Sequence, residues 1–187
     1  HGLPVDDRGL RWGCVQVAGC DITTFRTERY SPGSRYPTVT LTTDLAADAV
    51  RRDFTCNAVY LAPEGALTDP FGGAADWCNG QVVWLGHPAA RLAEDPLRWW
   101  RWLRFCAEAG PTAAANPVWY DVTTRQRSPL SLHELIDLAA GTCRQLSVSR
   151  RHTEQAKFGA QPHAAAVREI IQPLLASADE VAQKLFP

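Results

Sequence analysis

The sequence predicts an α+β fold, with a β-rich part up to about residue 90 and a helical part over residues 91–187. Two observations predict it. Before residue 90, short runs alternate apolar and polar residues between turns that contain Gly or Pro, as half-buried strands do. After residue 90, apolar residues recur every three or four positions, and Ser131 and Ser177 each begin a Ser-x-x-Glu capping box that is typical of a helix start.

The chain is long and apolar enough to bury a core, with 187 residues of which 45% are hydrophobic and 21% are charged. No apolar run approaches the roughly 18 residues that mark a membrane span, so we expect no membrane partner. The chain begins with His1 and contains no Met. We therefore expect that other residues precede it in the whole protein.

The β-rich part is expected to contain several short elements. Two strands, at 11–17 and 21–26, are predicted to pair antiparallel across the turn at Ala18, and a third at 38–42 follows a loop rich in Pro and Gly. Asp44 is expected to cap a helix over 45–50, because its carboxylate can accept from the first free amides. A second helical run at 54–61, a Gly-rich turn at 69–73 and a strand at 81–85 complete this part.

The helical part is expected to begin with a helix over 94–109, in which Pro96 occupies the first turn and Gly110 ends the helix. The periodicity and the capping boxes predict four more helices, at 131–140, 149–159, 162–176 and 178–186. The sequence shows no internal repeat.

The basic residues are almost all Arg: of the 19 Lys and Arg residues, only Lys157 and Lys184 are Lys. The planar fork of Arg suits phosphates and base edges, although a GC-rich genome would also favour Arg. The net charge of −1 does not indicate a broad basic surface. The positions of the Arg residues must therefore decide between the two explanations.

The six Cys residues form no C-x-x-C pair and have no His at zinc-finger spacing, so the sequence predicts no structural zinc site. Cys56 and Cys106 lie in apolar contexts that are typical of buried free thiols. This use of Cys favours a reducing, cytoplasmic setting.

Three segments concentrate charged and polar groups: Arg51-Arg-Asp-Phe-Thr-Cys-Asn-Ala58, Asp69-Pro-Phe-Gly-Gly-Ala-Ala-Asp76 and Glu94-Asp-Pro-Leu-Arg-Trp-Trp-Arg-Trp-Leu-Arg-Phe105. In the third, Arg98, Arg101 and Arg104 recur every three residues and share one flank of a helix. Their mutual repulsion is costly unless an anion binds there, since Glu94 and Asp95 neutralise only part of the charge. The alternative is an amphipathic helix whose Arg face is solvated and whose Trp face packs in the core.

All three segments, in this order and spacing, resemble the bacterial-type tRNA nucleotidyltransferase and poly(A) polymerase family. The recurring motifs of that family include RRDFTxNA, DPFGGxxD and EDPLRxLRxxRF. The resemblance is closer to CCA-adding enzymes. It begins earlier, where Gly13-Cys-Val-Gln-Val17 and Asp21-Ile-Thr-Thr-Phe-Arg26 are similar to G-T-V-x-V and E-V-T-T-x-R. It implies a nucleotidyltransferase head over residues 1–90 that lacks its N-terminal part, followed by a helical neck and partial body over 91–187.

The resemblance also implies the roles of individual residues. It assigns the triphosphate to Arg52 and the ribose site to Asp53 and Asn57. It assigns reading of the incoming base to Asp95 and Arg98, with Glu94 orienting Arg98. It assigns phosphate binding, or support of the base-reading pair, to Arg101 and Arg104.

Donor and acceptor chemistry supports this assignment of base reading. Cytosine and adenine present an exocyclic amine where uracil and guanine present a carbonyl oxygen, so a fixed carboxylate such as Asp95 accepts from the first pair and repels the second. Arg98 can donate to the ring nitrogen beside that amine. The implied activity is addition of C and A, from CTP and ATP, to the 3′ end of tRNA without a nucleic-acid template.

The implied chemistry needs two carboxylates that hold Mg²⁺. The family supplies them as Asp-x-Asp on a strand upstream of the G-T-V-x-V strand, and this chain has no such motif. Asp6 and Asp7 are adjacent, so they point to opposite faces of a strand. We expect the metal ligands before His1, and only a supporting role for Asp21.

The remaining expectations concern the turn and the competing functions. The turn formed by Asp69, Gly72 and Gly73 is expected to be a hinge that lets the nucleotide site adjust between C and A, or an ordinary Gly turn. The family also contains poly(A) polymerases, which share these motifs. A non-catalytic RNA- or nucleotide-binding protein without a metal site is the alternative from another class.

Overall fold

A computed structural model describes residues 4–31, 34 and 36–149. The chain divides into two compact units between Arg52 and Asp53. The helices predicted beyond residue 149 lie outside the described residues. The predicted division of the chain at residue 90 stays a prediction.

Over its described residues, the first unit contains two small antiparallel sheets, one α-helix and a short 3-10 helix. The strands β1 (Val5–Asp6), β2 (Cys14–Val17) and β3 (Cys20–Thr23) form one sheet in that order, and β4 (Arg26–Arg29) pairs with β5 (Thr38–Leu41) in the other. A 3-10 helix, Leu10–Trp12, separates β1 from β2. The predicted antiparallel pairing across Ala18 is confirmed, with Val17 opposite Cys20.

The helix predicted over 45–50 is confirmed as α1 (Leu45–Val50), the last helix of the first unit. Its N-terminus is capped by Asp44, whose Oδ1 accepts from the backbone N–H of Ala46 at 2.8 Å. This contact satisfies one of the amides that have no partner within the first turn.

The second unit contains more helix and begins with a 3-10 helix, Thr55–Ala58. The elements that follow are β6 (Tyr60–Leu61), β7 (Leu67–Thr68), α2 (Gly73–Cys78), β8 (Val83–Leu85), α3 (Pro88–Glu94), α4 (Leu97–Ala109), α5 (Pro111–Ala115), β9 (Val118–Asp121), β10 (Gln126–Pro129) and α6 (Leu132–Ser149). None of the described helices is long and apolar enough to cross a bilayer.

A mixed three-stranded sheet, in the order β10-β9-β8, organises the second unit. β9 runs parallel to β8, with Trp84 opposite Trp119, and antiparallel to β10. Parallel neighbours need a long crossover connection, and α3, α4 and α5 supply it. On the other side of β8, Phe54 forms an antiparallel bridge with Trp84.

The core of the second unit is rich in aromatic rings. Trp84, Trp102 and Phe54 are fully buried, and Phe54 meets the edge of Trp84 at a centroid distance of 4.9 Å. Trp99 stacks on Trp102 at 5.3 Å. The prediction that the Trp residues of α4 pack in the core is therefore confirmed for Trp99 and Trp102.

Two predicted helices differ from the structure. The segment 54–61 is not a continuous helix, because Phe54 is extended (φ −130°, ψ 152°) and Tyr60 begins β6. The helix predicted from Glu94 begins at Leu97 instead. The physical reason is Pro96, since the residue before a proline is driven out of the helical region, and Asp95 is extended (φ −149°, ψ 104°).

The part after residue 90 is not entirely helical. The segment from Val118 to Pro129 forms a hairpin, in which Asp121 Oδ1 accepts from the backbone N–H groups of Thr123 and Thr124 at 2.8 and 3.2 Å. The β-branched and aromatic residues of β9 favour a strand. The predicted strand at 81–85 is confirmed as β8, and the α+β class is confirmed.

Candidate functional site

Asp53 connects two of the charged segments of the sequence. Its carboxylate is buried, and its Oδ2 accepts from Nε of Arg101 at 2.7 Å. Its Oδ1 accepts from Nδ2 of Asn57 at 2.9 Å, because the 3-10 helix brings residue 57 back over residue 53. The backbone of Asp53 is fixed as well, since its carbonyl accepts from the N–H of Leu85 at 2.8 Å.

Asp95 lies between α3 and α4, beside the same guanidinium. Its Oδ2 is 3.4 Å from Nη2 of Arg101, and its Oδ1 accepts from the N–H of Leu97 at 3.1 Å. The second contact gives the first amide of α4 an acceptor, and a carboxylate is favoured at this end of a helix. Arg101 therefore bridges the carboxylates of Asp53 and Asp95.

Arg98 is held on the other side of the same junction. Its side chain is only 4% exposed and forms an ion pair with Glu94. Nη1 of Arg98 also donates to the carbonyl of Arg91 at 3.2 Å, and Nη1 of Arg91 contacts Glu94 at 3.1 Å. The contact through which we expected Glu94 to orient Arg98 is thus present, and the guanidinium partner of Asp95 in this structure is Arg101.

The basic flank of α4 carries its own counter-charges. Arg98 has Glu94, Arg101 has Asp53 and Asp95, and Arg104 lies 4.0 Å from Glu108. Of these carboxylates, the sequence pattern indicated only Glu94 and Asp95. Asp53 and Glu108 provide the further negative charge that balances the three Arg residues. The row of Arg residues therefore does not by itself require a bound anion.

The turn before α2 is closed by its own aspartate. The two carboxylate oxygens of Asp69 accept from the N–H groups of Gly73 and Ala74 at 2.8 and 3.0 Å. Gly72 has φ +73°, a conformation that glycine adopts without strain. A Cβ atom on Gly73 would lie 2.0 Å from the carbonyl oxygen of Thr55, so only glycine fits there.

Asp76 and Arg127 form a polar contact that sequence reasoning missed. Asp76 is buried, and its Oδ2 accepts from the hydroxyl of Thr55 at 2.7 Å. Nε and Nη2 of Arg127 donate to the same carboxylate at 3.1 and 2.9 Å. Asp76 ends the second charged segment and could have been singled out there, whereas nothing in the sequence connects it with Arg127, 51 residues away.

In the first unit, Arg52 is held by a buried carboxylate. Nε and Nη2 of Arg52 donate to Oδ2 of Asp48 at 3.0 and 2.7 Å, and Asp48 also forms an ion pair with Arg51. Burial alone would raise the pKa of Asp48, but the hydrogen bonds from Arg51 and Arg52 hold it below its ordinary value. The structure thus fixes the Arg52 side chain on its own unit.

The described residues do not fit a Mg²⁺ site. Asp21 is exposed and accepts from Nε2 of Gln16 at 3.1 Å, and Asp6 is paired with Arg8. Within residues 4–31, 34 and 36–149, no group of three His, Cys, Asp or Glu residues is arranged to hold a metal ion. The supporting role of Asp21 stays a prediction.

Comparison with known proteins links this geometry to a family. Residues 11–83 match the poly A polymerase head domain. The CCA-adding enzyme of Geobacillus sp. (strain WCH70) is 44% identical over 109 residues, which cover 56% of this chain and 27% of that protein. The CCA-adding enzyme of Lactobacillus helveticus (strain DPC 4571) is 32% identical over 163 residues, which cover 84% of this chain and 37% of that protein. The chain spans well under half the length of these relatives.

Solved structures show the same fold. A CCA-adding enzyme in an apo form aligns with a TM-score of 0.55 at 20% identity, covering 99% of this chain and 40% of that chain. A tRNA-processing enzyme with CTP aligns with a TM-score of 0.54 at 21% identity, covering 99% of this chain and 44% of that chain. The resemblance seen in the motifs is therefore confirmed, and residues 11–83 of this chain belong to the poly A polymerase head domain family.

Proposed function

We propose that this chain supplies the nucleotide-selecting part of a CCA-adding enzyme, which adds C and A from CTP and ATP to the 3′ end of tRNA without a template. The observation that carries the proposal is the junction between α3 and α4. There Arg101 contacts both Asp53 and Asp95, and Arg98 forms an ion pair with Glu94. The family resemblance gives all of these residues nucleotide-binding roles.

Base selection in this proposal rests on hydrogen-bond polarity. The carboxylate of Asp95 accepts from the exocyclic amine of cytosine or adenine, and it repels the carbonyl oxygen of uracil or guanine. Arg98, oriented by Glu94, donates to the adjacent ring nitrogen. Arg101 contacts Asp95 at 3.4 Å, a long hydrogen bond, so the amine can take its place on the carboxylate at modest cost.

The remaining residues hold the sugar and the phosphates. Asp53 and Asn57, joined by a hydrogen bond of 2.9 Å, are assigned to the ribose. Arg52, Arg101 and Arg104 are assigned to the phosphates, because a guanidinium binds phosphate oxygens through two parallel donors. The segment of Asp69, Gly72 and Gly73 is assigned to the adjustment of the site between C and A.

The proposal includes Mg²⁺, the ion that transfer of a nucleotide to a 3′ hydroxyl needs. The described residues do not fit that ion, so we expect its ligands in another part of the protein. The partners proposed are tRNA, CTP and ATP, and the setting proposed is the cytoplasm. We also propose that residues 1–90 belong to the head and residues 91–187 to the neck and body.

Nucleotide binding tests the part of the proposal that this chain carries. Radiolabelled CTP, ATP, UTP and GTP are titrated onto the chain, and dissociation constants are measured by equilibrium dialysis. We expect CTP and ATP to bind at least tenfold more tightly than UTP and GTP. Equal binding of all four nucleotides, or binding of none, would refute the proposal.

The reaction is tested with the gene product that contains this chain. It is incubated with CTP, ATP, Mg²⁺ and a tRNA that lacks its last three nucleotides, and the 3′ ends are sequenced. We expect products that end in CCA and grow no further. A long A tail would indicate a poly(A) polymerase instead.

A further inference from the structure

The hairpin β9–β10 has no assigned role in the proposed function, yet it is linked through Asp76 to the segment that carries Asp53 and Asn57. It lies outside residues 11–83, which match the head domain. β9 pairs with β8 in parallel, and β8 receives the backbone of Asp53 on its other side through the bond from Leu85 N to Asp53 O at 2.8 Å. One strand therefore connects the hairpin to the residue that binds Arg101.

Arg127 of the hairpin contacts the second charged segment at two places. Its Nη2 donates to the carbonyl of Phe71 at 2.7 Å, and its Nε and Nη2 donate to the carboxylate of Asp76 at 3.1 and 2.9 Å. Its guanidinium also lies over the ring of Tyr120 at 5.3 Å. The paired donors and the ring fix its orientation, as a guanidinium fork allows and an ammonium does not.

Asp76 transmits this contact to the nucleotide-binding segment. The side chain of Asp76 is 8% exposed, and its Oδ2 accepts from the hydroxyl of Thr55 at 2.7 Å. Thr55 begins the 3-10 helix that carries Asn57, and it follows Asp53 by two residues. Because Gly73 has no Cβ atom, the turn packs directly against the carbonyl group of Thr55. The turn and this 3-10 helix are therefore in close contact.

The segment 53–58 is consequently held at two points. The hydrogen bond between Asp53 and Leu85 fixes its start, and the chain of contacts from Arg127 through Asp76 to Thr55 fixes its middle. Without the guanidinium of Arg127, the buried carboxylate of Asp76 would keep only the hydroxyl of Thr55 among the side-chain donors described above. A buried charge that loses its charged partner is unfavourable. Asp76 and Thr55 would then shift, and the carboxylate of Asp53 would shift with them relative to Arg101.

We propose that Arg127 is a positioning residue, which acts through Asp76 and Thr55 to set the place of Asp53 and Asn57 in the nucleotide site. This inference rests on the proposed function and adds to it a part of the chain outside the matched head domain. Arg127 also holds the turn that begins at Asp69, because it donates to the carbonyl of Phe71 within that turn. Movement of the turn would therefore break the contacts of Arg127.

The test compares Arg127→Met with two other variants. Arg127→Lys keeps the charge but cannot serve both Asp76 and the Phe71 carbonyl with a planar fork. Arg125→Met is the matched control, because it removes the same group two residues away in the same hairpin, whereas the contacts with Asp76 are made by Arg127. Dissociation constants for CTP, ATP and UTP are measured well below the unfolding temperature, so that only folded protein is compared.

We expect Arg127→Met to weaken CTP and ATP binding by about tenfold, since small displacements of positioned groups have effects of that order. UTP binding should weaken by a similar factor, because Asp53 and Asn57 are assigned to the ribose that all three nucleotides share. Arg127→Lys should fall between the wild type and Arg127→Met, and Arg125→Met should match the wild type. Thr55→Val should reproduce the loss, and combining it with Arg127→Met should add little.

Hydrogen exchange supplies a readout that needs no nucleotide. In Arg127→Met, peptides covering 53–61 and 69–78 should exchange faster than in the wild type, and peptides of α6 should not. Unchanged affinities together with a lowered melting temperature would overturn the inference, because Arg127 would then only stabilise the fold. A wild-type chain that binds no nucleotide selectively would refute the proposed function, and the positioning role with it.

Discussion

Arg101 donates its Nε–H to Oδ2 of Asp53 across 2.7 Å, and the two residues are 48 positions apart in the sequence. This bond joins Asp53, the first residue of the second unit, to the basic flank of α4. It gives the middle Arg of that flank a buried partner, whereas Arg104 lies 4.0 Å from a Glu108 side chain that is 39% exposed. The same side-chain type therefore occupies two different environments one helical turn apart.

The two Arg residues should differ in their effect on stability. Arg101→Met should lower the free energy of unfolding by about 1–2 kcal/mol, because it leaves the buried Asp53 carboxylate without its charged donor; the value is reduced for the 36% exposure of Arg101. Arg104→Met, the control, should change it by less than about 0.5 kcal/mol. Urea denaturation measures both, and equal effects would contradict the assigned contacts.

The close packing of Gly73 against Thr55 predicts that one added methyl group lowers the stability strongly. Gly73→Ala places a Cβ atom 2.0 Å from the Thr55 carbonyl oxygen, and should cost about 2–4 kcal/mol of unfolding free energy, because backbone must move on both sides. Gly141→Ala in α6 is the matched control, since nothing lies within 4 Å of its Cβ. It should stabilise the chain by about 0.5–1 kcal/mol. Thermal unfolding distinguishes the two, and a stable Gly73→Ala chain would refute the packing.

The buried carboxylates of the first unit predict an acid-sensitive fold. Burial opposes ionisation of Asp48 and Glu28, but hydrogen bonds from Arg51 and Arg52 to Asp48, and from Arg26 to Glu28, leave both pKa values below the ordinary 3.8 and 4.5. A lowered pKa in the folded state gives stability that is present above the ordinary value and is lost as the pH falls through the folded value. This contribution to the free energy of unfolding should therefore be constant above pH 4.5 and should decrease as the pH falls below 3.8.

Asp48→Asn checks this assignment directly. At pH 7 it should be less stable than the wild type by about 2–4 kcal/mol, because two guanidinium groups lose their buried partner. The difference should shrink as the pH falls, since protonation removes the same charge from the wild type. Glu108→Gln, an exposed pair, should change stability at pH 7 by less than about 0.5 kcal/mol. A pH-independent deficit in Asp48→Asn would count against the ion pairs.

The thiols should divide into reactive and unreactive groups. Burial, and secondly the charge of Asp53, raises the pKa of Cys56 to about 11, and burial raises the pKa of Cys106 as well. Cys20 and Cys78 are exposed. Because the thiolate is the reactive form, iodoacetamide at pH 8 should alkylate Cys20 and Cys78 before Cys56 and Cys106, as read by peptide mass spectrometry. Early labelling of Cys56 or Cys106 would contradict the burial described.

Local signals explain which elements the sequence could predict. The Asp44 cap and the hairpin at Ala18 depend on neighbouring residues, and both are present. The place of β9 in a mixed sheet could not be predicted, because its parallel partner β8 lies 35 positions earlier, in the register of Val83 and Val118. The hairpin of β9 with β10 is local, and the β-branched and aromatic residues of β9 were its signal. Pro96 is a typical residue of a first helical turn, yet here it also fixes an extended Asp95 before the helix.

The sequence placed the charged residues around α3 and α4 in one candidate site, but it did not show how they pair. The motifs brought Asp53, Asp95 and Arg101 into one hypothesis, yet only the fold shows that a single guanidinium bridges the two carboxylates. Arg127 had no sequence signal, because its role depends on a hairpin contact with a residue 51 positions away. Residue type indicated the chemistry, and tertiary contact determined the partners.

The central claim is that the Asp95 carboxylate selects nucleotides by accepting from an exocyclic amine. Asp95→Asn tests it most directly, because the amide keeps one acceptor and adds a donor that can meet the carbonyl oxygen of uracil. Asp137→Asn, an exposed aspartate of α6, is the control. The measurement is the ratio of the dissociation constants of UTP and CTP. We predict that this ratio falls at least tenfold in Asp95→Asn and stays at the wild-type value in Asp137→Asn; an unchanged ratio in Asp95→Asn would contradict the account.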